Sequence, residues 1–249
     1  MRVLPAALLA LPFAAQAAEP VDLALVLVAD MSTSIDEAEF RLQKAGYVDA
    51  FTDPAVVDRI LGGPVGAAAV AYVEFAGRGE ASTVIGWTVV RSVEEASALS
   101  RLIALAPRSY RGNTSISTGI SHATRLLADA PFEAARQVID VSADGRDPSD
   151  GAVRKARDAA LAAGITVNGL AIVDDHRLGT IDGRLSYTTW EPYGPLPDYF
   201  DRLVVGGPGG FVVEARDFTQ FGQALARKLI LEISGTVPRE RRPTDRVKG

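Results

Sequence analysis

Apolar and polar residues follow one another along the chain in blocks that favour strands alternating with helices. Predominantly apolar runs, which favour strands, occupy residues 21–29, 66–75, 83–90, 137–141, 165–173 and 210–213. The first run is continuous apart from one Asp near its start, which is typical of a strand covered on both faces. Between the runs, helical spacing of apolar residues predicts helices over residues 34–51, 54–60, 92–106, 115–129, 151–163 and 217–233. The third run is shorter and more polar, which indicates an edge strand. The pattern predicts an α/β fold with a doubly wound, mainly parallel six-stranded sheet and helices on both faces.

Both ends of the chain depart from this pattern. Residues 1–17 combine Arg2, a short Ala- and Leu-rich run and a small-x-small cleavage site, which predicts a secretory signal peptide. The run falls short of the roughly 20 residues of a membrane span. We therefore expect a periplasmic or secreted protein without a membrane span after cleavage, with an uncleaved N-terminal anchor as the alternative. Residues 235–249 are basic and are expected to form a disordered tail, which leaves one domain over residues 21–234.

Composition narrows the chemistry that this domain can perform. The chain has no cysteine, which removes thiolate nucleophiles and thiolate metal sites. Its formal net charge of −5 argues against nucleic acid as a partner. Since His122 and His176 are the two histidines of the whole sequence, a metal site would depend on oxygen ligands.

Three short polar segments stand where predicted strands end or a predicted helix begins. In chain order, the first, second and third segments are Asp30-Met31-Ser32-Thr33-Ser34, Gly112-Asn113-Thr114-Ser115 and Ser142-Ala143-Asp144-Gly145. Each alone is compatible with an ordinary turn or helix cap. If the first and fourth strands are neighbours where the strand order reverses, however, all three segments meet at one crevice. Their order and context together predict a binding site.

The three segments together resemble the metal-ion-dependent adhesion site (MIDAS) of von Willebrand factor A (VWA) domains. The similarity covers nearly the whole predicted domain, and its opening strand also resembles uncharacterised exported bacterial members of this superfamily. The resemblance implies a Rossmann-like VWA fold in which Ser32, Ser34 and Thr114 bind a divalent cation through their hydroxyls. It also implies that Asp30 and Asp144 hold coordinated waters and orient those hydroxyls. Mg²⁺ is the expected ion, with Mn²⁺ or Ca²⁺ as alternatives.

Two positions depart from the pattern of the family. Thr33 stands where Gly is frequent, and Ala143 stands where Asp or Thr is common; neither change removes an implied ligand. The resemblance implies a binding module without catalytic residues, whose cation accepts an Asp or Glu side chain from an unknown protein partner. One alternative is a hydrolase of the haloacid dehalogenase type, although Ser32 replaces the second acid of its Asp-x-Asp motif. The other alternative is a structural VWA-like domain that binds no metal.

Further residues offer weaker indications. His122 is expected to pack within its helix rather than bind a ligand. Residues 174–176, Asp-Asp-His, form either a second ion site or, as we favour, a solvated loop. Residues 182–197 carry aromatic residues and prolines and form either a partner-recognition loop or a self-packed surface loop. The loop before Thr114 contains candidates for the border of a ligand surface, namely Arg108, Tyr110 and Arg111.

Overall fold

The computed structural model describes residues 18–173, 180–181, 184–185 and 194–235. Its strands are β1 (Glu19–Val21), β2 (Leu23–Asp30), β3 (Ala68–Phe75), β4 (Ala81–Val90), β5 (Phe132–Ala134), β6 (Gln137–Ala143), β7 (Thr166–Ile172), β8 (Thr180–Ile181), β9 (Arg184–Leu185) and β10 (Val212–Ala215). Its helices are α1 (Glu37–Thr52), α2 (Pro54–Leu61), α3 (Val93–Leu105), α4 (Ile116–Ala128), α5 (Asp150–Ala162), α6 (Leu196–Tyr199) and α7 (Phe221–Ser234). A π-helical turn, Phe200–Val204, continues α6.

Six of these strands form one central sheet in the order β10-β7-β6-β2-β3-β4. All neighbouring pairs are parallel except β3 and β4, which are antiparallel. After β2 the chain moves to one side of the sheet, and it later returns to β6 on the other side. The strand order therefore reverses between β2 and β6. This architecture confirms the predicted six-stranded doubly wound sheet, the edge position of β4 and the adjacency of the first and fourth predicted strands.

Strand β2 explains how the sheet is covered on both faces. All eight of its residues are buried. Because successive side chains of a strand point to opposite faces, Leu25 and Leu27 pack in one core layer and Val26 and Val28 in the other. The first layer contains residues of α1, α2, α3 and α7, and the second contains residues of α4, α5 and α6.

Some element boundaries differ from the prediction. Helix α1 begins at Glu37 rather than at residue 34, because Asp36 accepts hydrogen bonds from the first turn and forms a capping box with Glu39. Helix α7 begins at Phe221 rather than at residue 217, since Asp217 instead closes the preceding turn by accepting from the Gln220 N–H at 3.0 Å. The later start of α1 leaves residues 31–34 of the first segment in the loop that follows β2.

Several predictions fall on parts of the chain that are not described. These are the signal peptide at residues 1–17, the tail beyond residue 235, the acidic group at 174–176 and most of the loop at 182–197. Within the described ranges, no helix has the length and apolar character needed to cross a bilayer.

Candidate functional site

The first segment begins in the interior at the end of β2 and reaches the surface at Thr33 and Ser34. Met31 and Ile35 are buried in the core layer beneath α1, and they anchor the loop that follows β2. Asp30 is also fully buried, and its Oδ1 accepts a hydrogen bond from the Ser32 N–H at 2.8 Å. The Ser32 hydroxyl lies 2.9 Å from that of Ser34, which is exposed. The three polar side chains thus run from the interior to the surface.

The third segment meets the first because β6 and β2 are neighbours. The Ser34 hydroxyl donates a hydrogen bond to Asp144 Oδ1 at 2.7 Å. Asp144 follows the end of β6 and is half-buried. Two of the predicted segments, far apart in the sequence, are therefore in direct contact.

The second segment approaches the third at Gly145. A Cβ atom on Gly145 would lie 3.2 Å from Thr114 Oγ1, so the absence of a side chain there makes room for Thr114. The Thr33 N–H also donates to the Gly112 carbonyl at 2.8 Å, which connects the first segment with the second. The fold brings all three segments, and with them the five predicted side chains, to one end of the sheet.

The oxygen atoms of this cluster suit a hard divalent cation. Asp30 Oδ2 is buried and has no hydrogen-bond partner among the described residues. Burial, followed by the nearby charge of Asp144, raises the pKa of Asp30 to about 8. A cation would satisfy the orphaned oxygen and offset the repulsion between the two carboxylates. The described ranges contain no group of three or more His, Cys, Asp or Glu residues that could hold a metal, so a cation here would depend on hydroxyl ligands.

Thr33 and Ala143, the two residues that depart from the VWA pattern, do not block the cluster of hydroxyls and carboxylates. Thr33 is exposed, and its backbone makes the connection to the second segment described above. Ala143 is fully buried in the core layer that contains α4 and α5. Neither side chain therefore obstructs the cluster.

The candidates beside the second segment have different surroundings. Arg108 turns away from a ligand surface, and its guanidinium donates to the Met31 and Ile35 carbonyls at 2.9 and 2.8 Å. Arg111 is exposed and pairs with Glu37 at 2.9 Å. Tyr110 packs against the core layer of α1. The three side chains thus do not form one continuous surface patch.

His122 makes a contact typical of a packing histidine. Its Nε2 lies 2.9 Å from the Thr83 hydroxyl, which joins α4 to β4. Burial, together with the charge of Arg125, lowers the pKa of His122. This position agrees with the expected packing role.

Sequence reasoning missed two acids that support the cluster. Glu74 is fully buried on β3, and its Oε2 accepts from the Ser109 N–H at 2.7 Å, which holds the loop before the second segment. Asp147 is buried and accepts from the Ser117 N–H in the first turn of α4 at 2.9 Å. A single acid within an apolar strand signals Glu74, whereas Asp147 has the appearance of an ordinary loop residue.

Comparison with protein families gives one match over most of the chain. The model of a family described as "Protein of unknown function (DUF1194)" matches residues 20–237. Among curated proteins, none matches the chain.

Solved structures share this fold at low sequence identity. A von Willebrand factor type A protein from Catenulispora acidiphila superposes with a TM-score of 0.57 at 17% identity, over 86% of this chain and 43% of that one. Proximal thread matrix protein 1 from the mussel byssus, with a zinc-occupied MIDAS motif, gives 0.56 at 15% identity over 87% and 48%. The pilus adhesin SpaC from Lactobacillus rhamnosus GG gives 0.54 at 15% identity over 88% and 31%. The chain has the VWA fold, and it spans less than half the length of each of these proteins.

Proposed function

The chain belongs to the DUF1194 family, and we propose that it is an exported VWA module that binds a protein partner through a divalent cation. In this proposal Ser32, Ser34 and Thr114 hold the ion through their hydroxyls. Asp30 and Asp144 orient those hydroxyls and the coordinated waters. One observation carries the proposal. The Ser34 hydroxyl donates to Asp144 Oδ1 at 2.7 Å, which joins the first and third segments, and the buried Asp30 Oδ2 in the same cluster has no hydrogen-bond partner in the described structure.

The chemistry of the proposed ligands favours an acidic partner. When bound, the cation supplies a Lewis-acid position for a carboxylate oxygen. Neutral hydroxyl ligands leave more of the positive charge of the ion uncompensated than carboxylate ligands would. An Asp or Glu side chain of the partner is therefore the expected additional ligand. Ser34 is the exposed member of the cluster, and the partner would approach from its side.

The expected ion is Mg²⁺, because small oxygen sites that retain several waters suit it. Mn²⁺ and Ca²⁺ share this preference for oxygen. A protein of the same fold carries zinc in its MIDAS motif, which supports a divalent cation at such a site.

The signal peptide predicted at residues 1–17 supports a periplasmic or secreted location, and the similar fold of a pilus adhesin agrees with a binding role there.

Metal titration by calorimetry tests the site directly. We expect the purified protein to bind Mg²⁺ or Mn²⁺, and Ser32→Ala and Thr114→Ala to abolish or strongly weaken this binding. Matched controls are Ser121→Ala and Thr124→Ala, whose hydroxyls donate to carbonyls of their own helix at 2.7 and 2.8 Å. Absence of binding by the parent protein, or equal binding by Ser32→Ala and Thr114→Ala, would contradict the proposal.

Partner capture tests the second half of the proposal. Protein immobilised in Mg²⁺ is expected to retain a partner from an envelope extract and to release it in EDTA. The Thr114→Ala variant is expected to retain none, whereas Thr124→Ala behaves as the parent. Turnover of a generic phosphate ester that disappears in Asp30→Asn would instead favour the hydrolase.

A further inference from the structure

The Arg108 side chain lies beneath the first segment and joins it to the loop that precedes the second. Its Nη2 donates to the Met31 and Ser32 carbonyls at 2.9 and 2.7 Å, and its Nη1 donates to the Ile35 carbonyl at 2.8 Å. Its Nε donates to the Tyr110 carbonyl in its own loop at 2.9 Å. A guanidinium offers its donors in one rigid plane, so these four contacts fix the two loops relative to each other.

Buried charges hold the loop that carries Arg108 in place. The Lys44 ammonium donates to the Ala106 carbonyl at 2.5 Å, and Glu74 accepts from the Ser109 N–H. The Phe40 ring lies 5.5 Å from the Arg108 guanidinium, within the range of a cation–π contact. The position of Arg108 therefore does not depend on the carbonyls alone.

We propose that Arg108 is a positioning residue of the metal site, an inference that rests on the function proposed above. By engaging the Met31 and Ser32 carbonyls of the first segment and the Ile35 carbonyl just after it, its guanidinium directs these oxygens away from the cluster of hydroxyls. Carbonyl oxygens are themselves good ligands for hard cations. Removing Arg108 frees them to turn and disperses the Ser32 and Ser34 hydroxyls, which lowers the affinity for the cation.

Charge alone predicts the opposite effect. A fixed positive charge near a cation site opposes binding, so removing Arg108 would tighten the binding of Mg²⁺ if its charge were its main influence. Positioning predicts weaker binding. The sign of the change in Mg²⁺ affinity therefore separates the two explanations. Weaker binding supports positioning, and tighter binding supports a dominant effect of charge.

The experiment compares Arg108→Met and Arg108→Lys with the parent in calorimetric titration with Mg²⁺. Loss of a group that supports metal ligands typically lowers affinity by about 10- to 100-fold, and we expect a loss at the lower end of this range for Arg108→Met. Arg108→Lys keeps the charge but not the planar set of donors, so it restores the affinity only in part. Arg111→Met is the matched control, because Arg111 is exposed and pairs with Glu37; it leaves the affinity unchanged or slightly tighter.

Amide hydrogen exchange in the absence of metal gives a second readout. In Arg108→Met, amides of the first segment are expected to exchange faster than in the parent, whereas those of β3 are unchanged. Equal or tighter Mg²⁺ binding by Arg108→Met, with unchanged exchange in the first segment, overturns the inference and leaves the proposed function intact. If the parent protein binds no divalent cation, the proposed function itself fails, and the positioning role fails with it.

Discussion

The Asp147 carboxylate caps the first turn of α4 through Ser117. Its Oδ2 accepts from the Ser117 N–H at 2.9 Å and from the Ser117 hydroxyl at 2.7 Å. The residue preceding α4, Ser115, makes no capping hydrogen bond to the helix with its own side chain. Because the first N–H groups of a helix need acceptors from outside the helix, Asp147 supplies from another loop what Ser115 does not. The contact joins the loop after the third segment to the helix that follows the second.

Replacing Asp147 by Ala is expected to lower the free energy of unfolding by about 1–3 kcal/mol, because partly buried donors at the start of α4 lose their acceptor. Urea denaturation would measure the change. Asp158→Ala is the control, since Asp158 is a surface residue paired with its neighbour Arg157, and a surface change of this kind stays within about 0.5 kcal/mol. Equal losses in the two variants would contradict the capping role.

Gly145→Ala is expected to weaken Mg²⁺ binding while the fold is preserved. The new Cβ would lie 3.2 Å from Thr114 Oγ1, so Thr114 must shift from its position against the third segment. We expect the displacement of Thr114 to cost the metal-bound protein about 1 kcal/mol more than the free protein, the lower end of the range for crowding, which corresponds to roughly a fivefold loss of affinity. Calorimetric titration would measure it.

The control for Gly145→Ala is Gly151→Ala, because a Cβ on Gly151 meets no atom within 4 Å. This variant is expected to bind Mg²⁺ as the parent does. Unchanged affinity in Gly145→Ala would show that the site does not depend on the contact between Thr114 and the third segment.

The fold was predictable because its main signals are local. The unbroken apolar run of β2 identifies a strand covered on both faces, and the order of strands and helices leaves few alternatives for the sheet. The meeting of Ser34 with Asp144 follows from the same logic, since both residues follow the ends of strands that are neighbours in a doubly wound sheet. The three segments therefore come together for reasons visible in the sequence.

The contacts of Arg108 and Lys228 were not predictable, because their partners carry no sequence signal. Arg108 donates to backbone carbonyls, which every residue type possesses. The start of α1 depended on a local competition, since Ser34 and Asp36 are both residues that cap helices well. The buried pair of Lys228 with Asp140 joins a helix to a distant strand, and neither residue indicates the other.

Gly46→Ala is expected to destabilise the contact between α1 and α7. A Cβ on Gly46 would lie 2.5 Å from the Phe221 ring and 2.9 Å from the Gly222 Cα. Since the neighbouring backbone must move, a loss of about 1–3 kcal/mol in the free energy of unfolding follows, measured by urea denaturation.

The same substitution at a helical glycine with open surroundings provides the control for Gly46→Ala. Gly151→Ala in α5 is expected to be neutral or to stabilise the protein by up to about 1 kcal/mol, because Ala restricts the unfolded chain more than Gly does. Similar stability changes in the two variants would show that close packing of α1 on α7 does not limit the residue at position 46.

Three buried charges lie between α7 and β6 and carry an excess of negative charge. The Lys228 ammonium lies 2.6 Å from Asp140 Oδ1 and also contacts Glu232. Asn168 donates to Glu232 Oε1 at 2.8 Å. Two acids thus share one cation. Burial first, and the charge of Asp140 second, raise the pKa of Glu232 from 4.5 to about 7.

This raised pKa predicts how stability depends on pH. The unfolded chain releases the Glu232 proton near pH 4.5, whereas the folded protein keeps it up to about pH 7. The stabilisation is therefore fully present below pH 4.5 and is lost as the pH rises to about 7. The Glu232→Gln side chain does not titrate between pH 4.5 and about pH 7, so this variant does not lose stability from that group. Its stability relative to the parent is expected to rise by up to about 3 kcal/mol between about pH 5 and pH 8.

Urea denaturation of the parent and of Glu232→Gln at a series of pH values would test this prediction. The comparison of the two proteins cancels the titration of all groups that they share. Glu133→Gln is the matched control, because Glu133 is exposed and its removal is expected to leave the pH profile parallel to that of the parent. If the Glu232→Gln profile also runs parallel to the parent, Glu232 is not protonated in the folded protein at neutral pH, and the shared cation Lys228 compensates both acids.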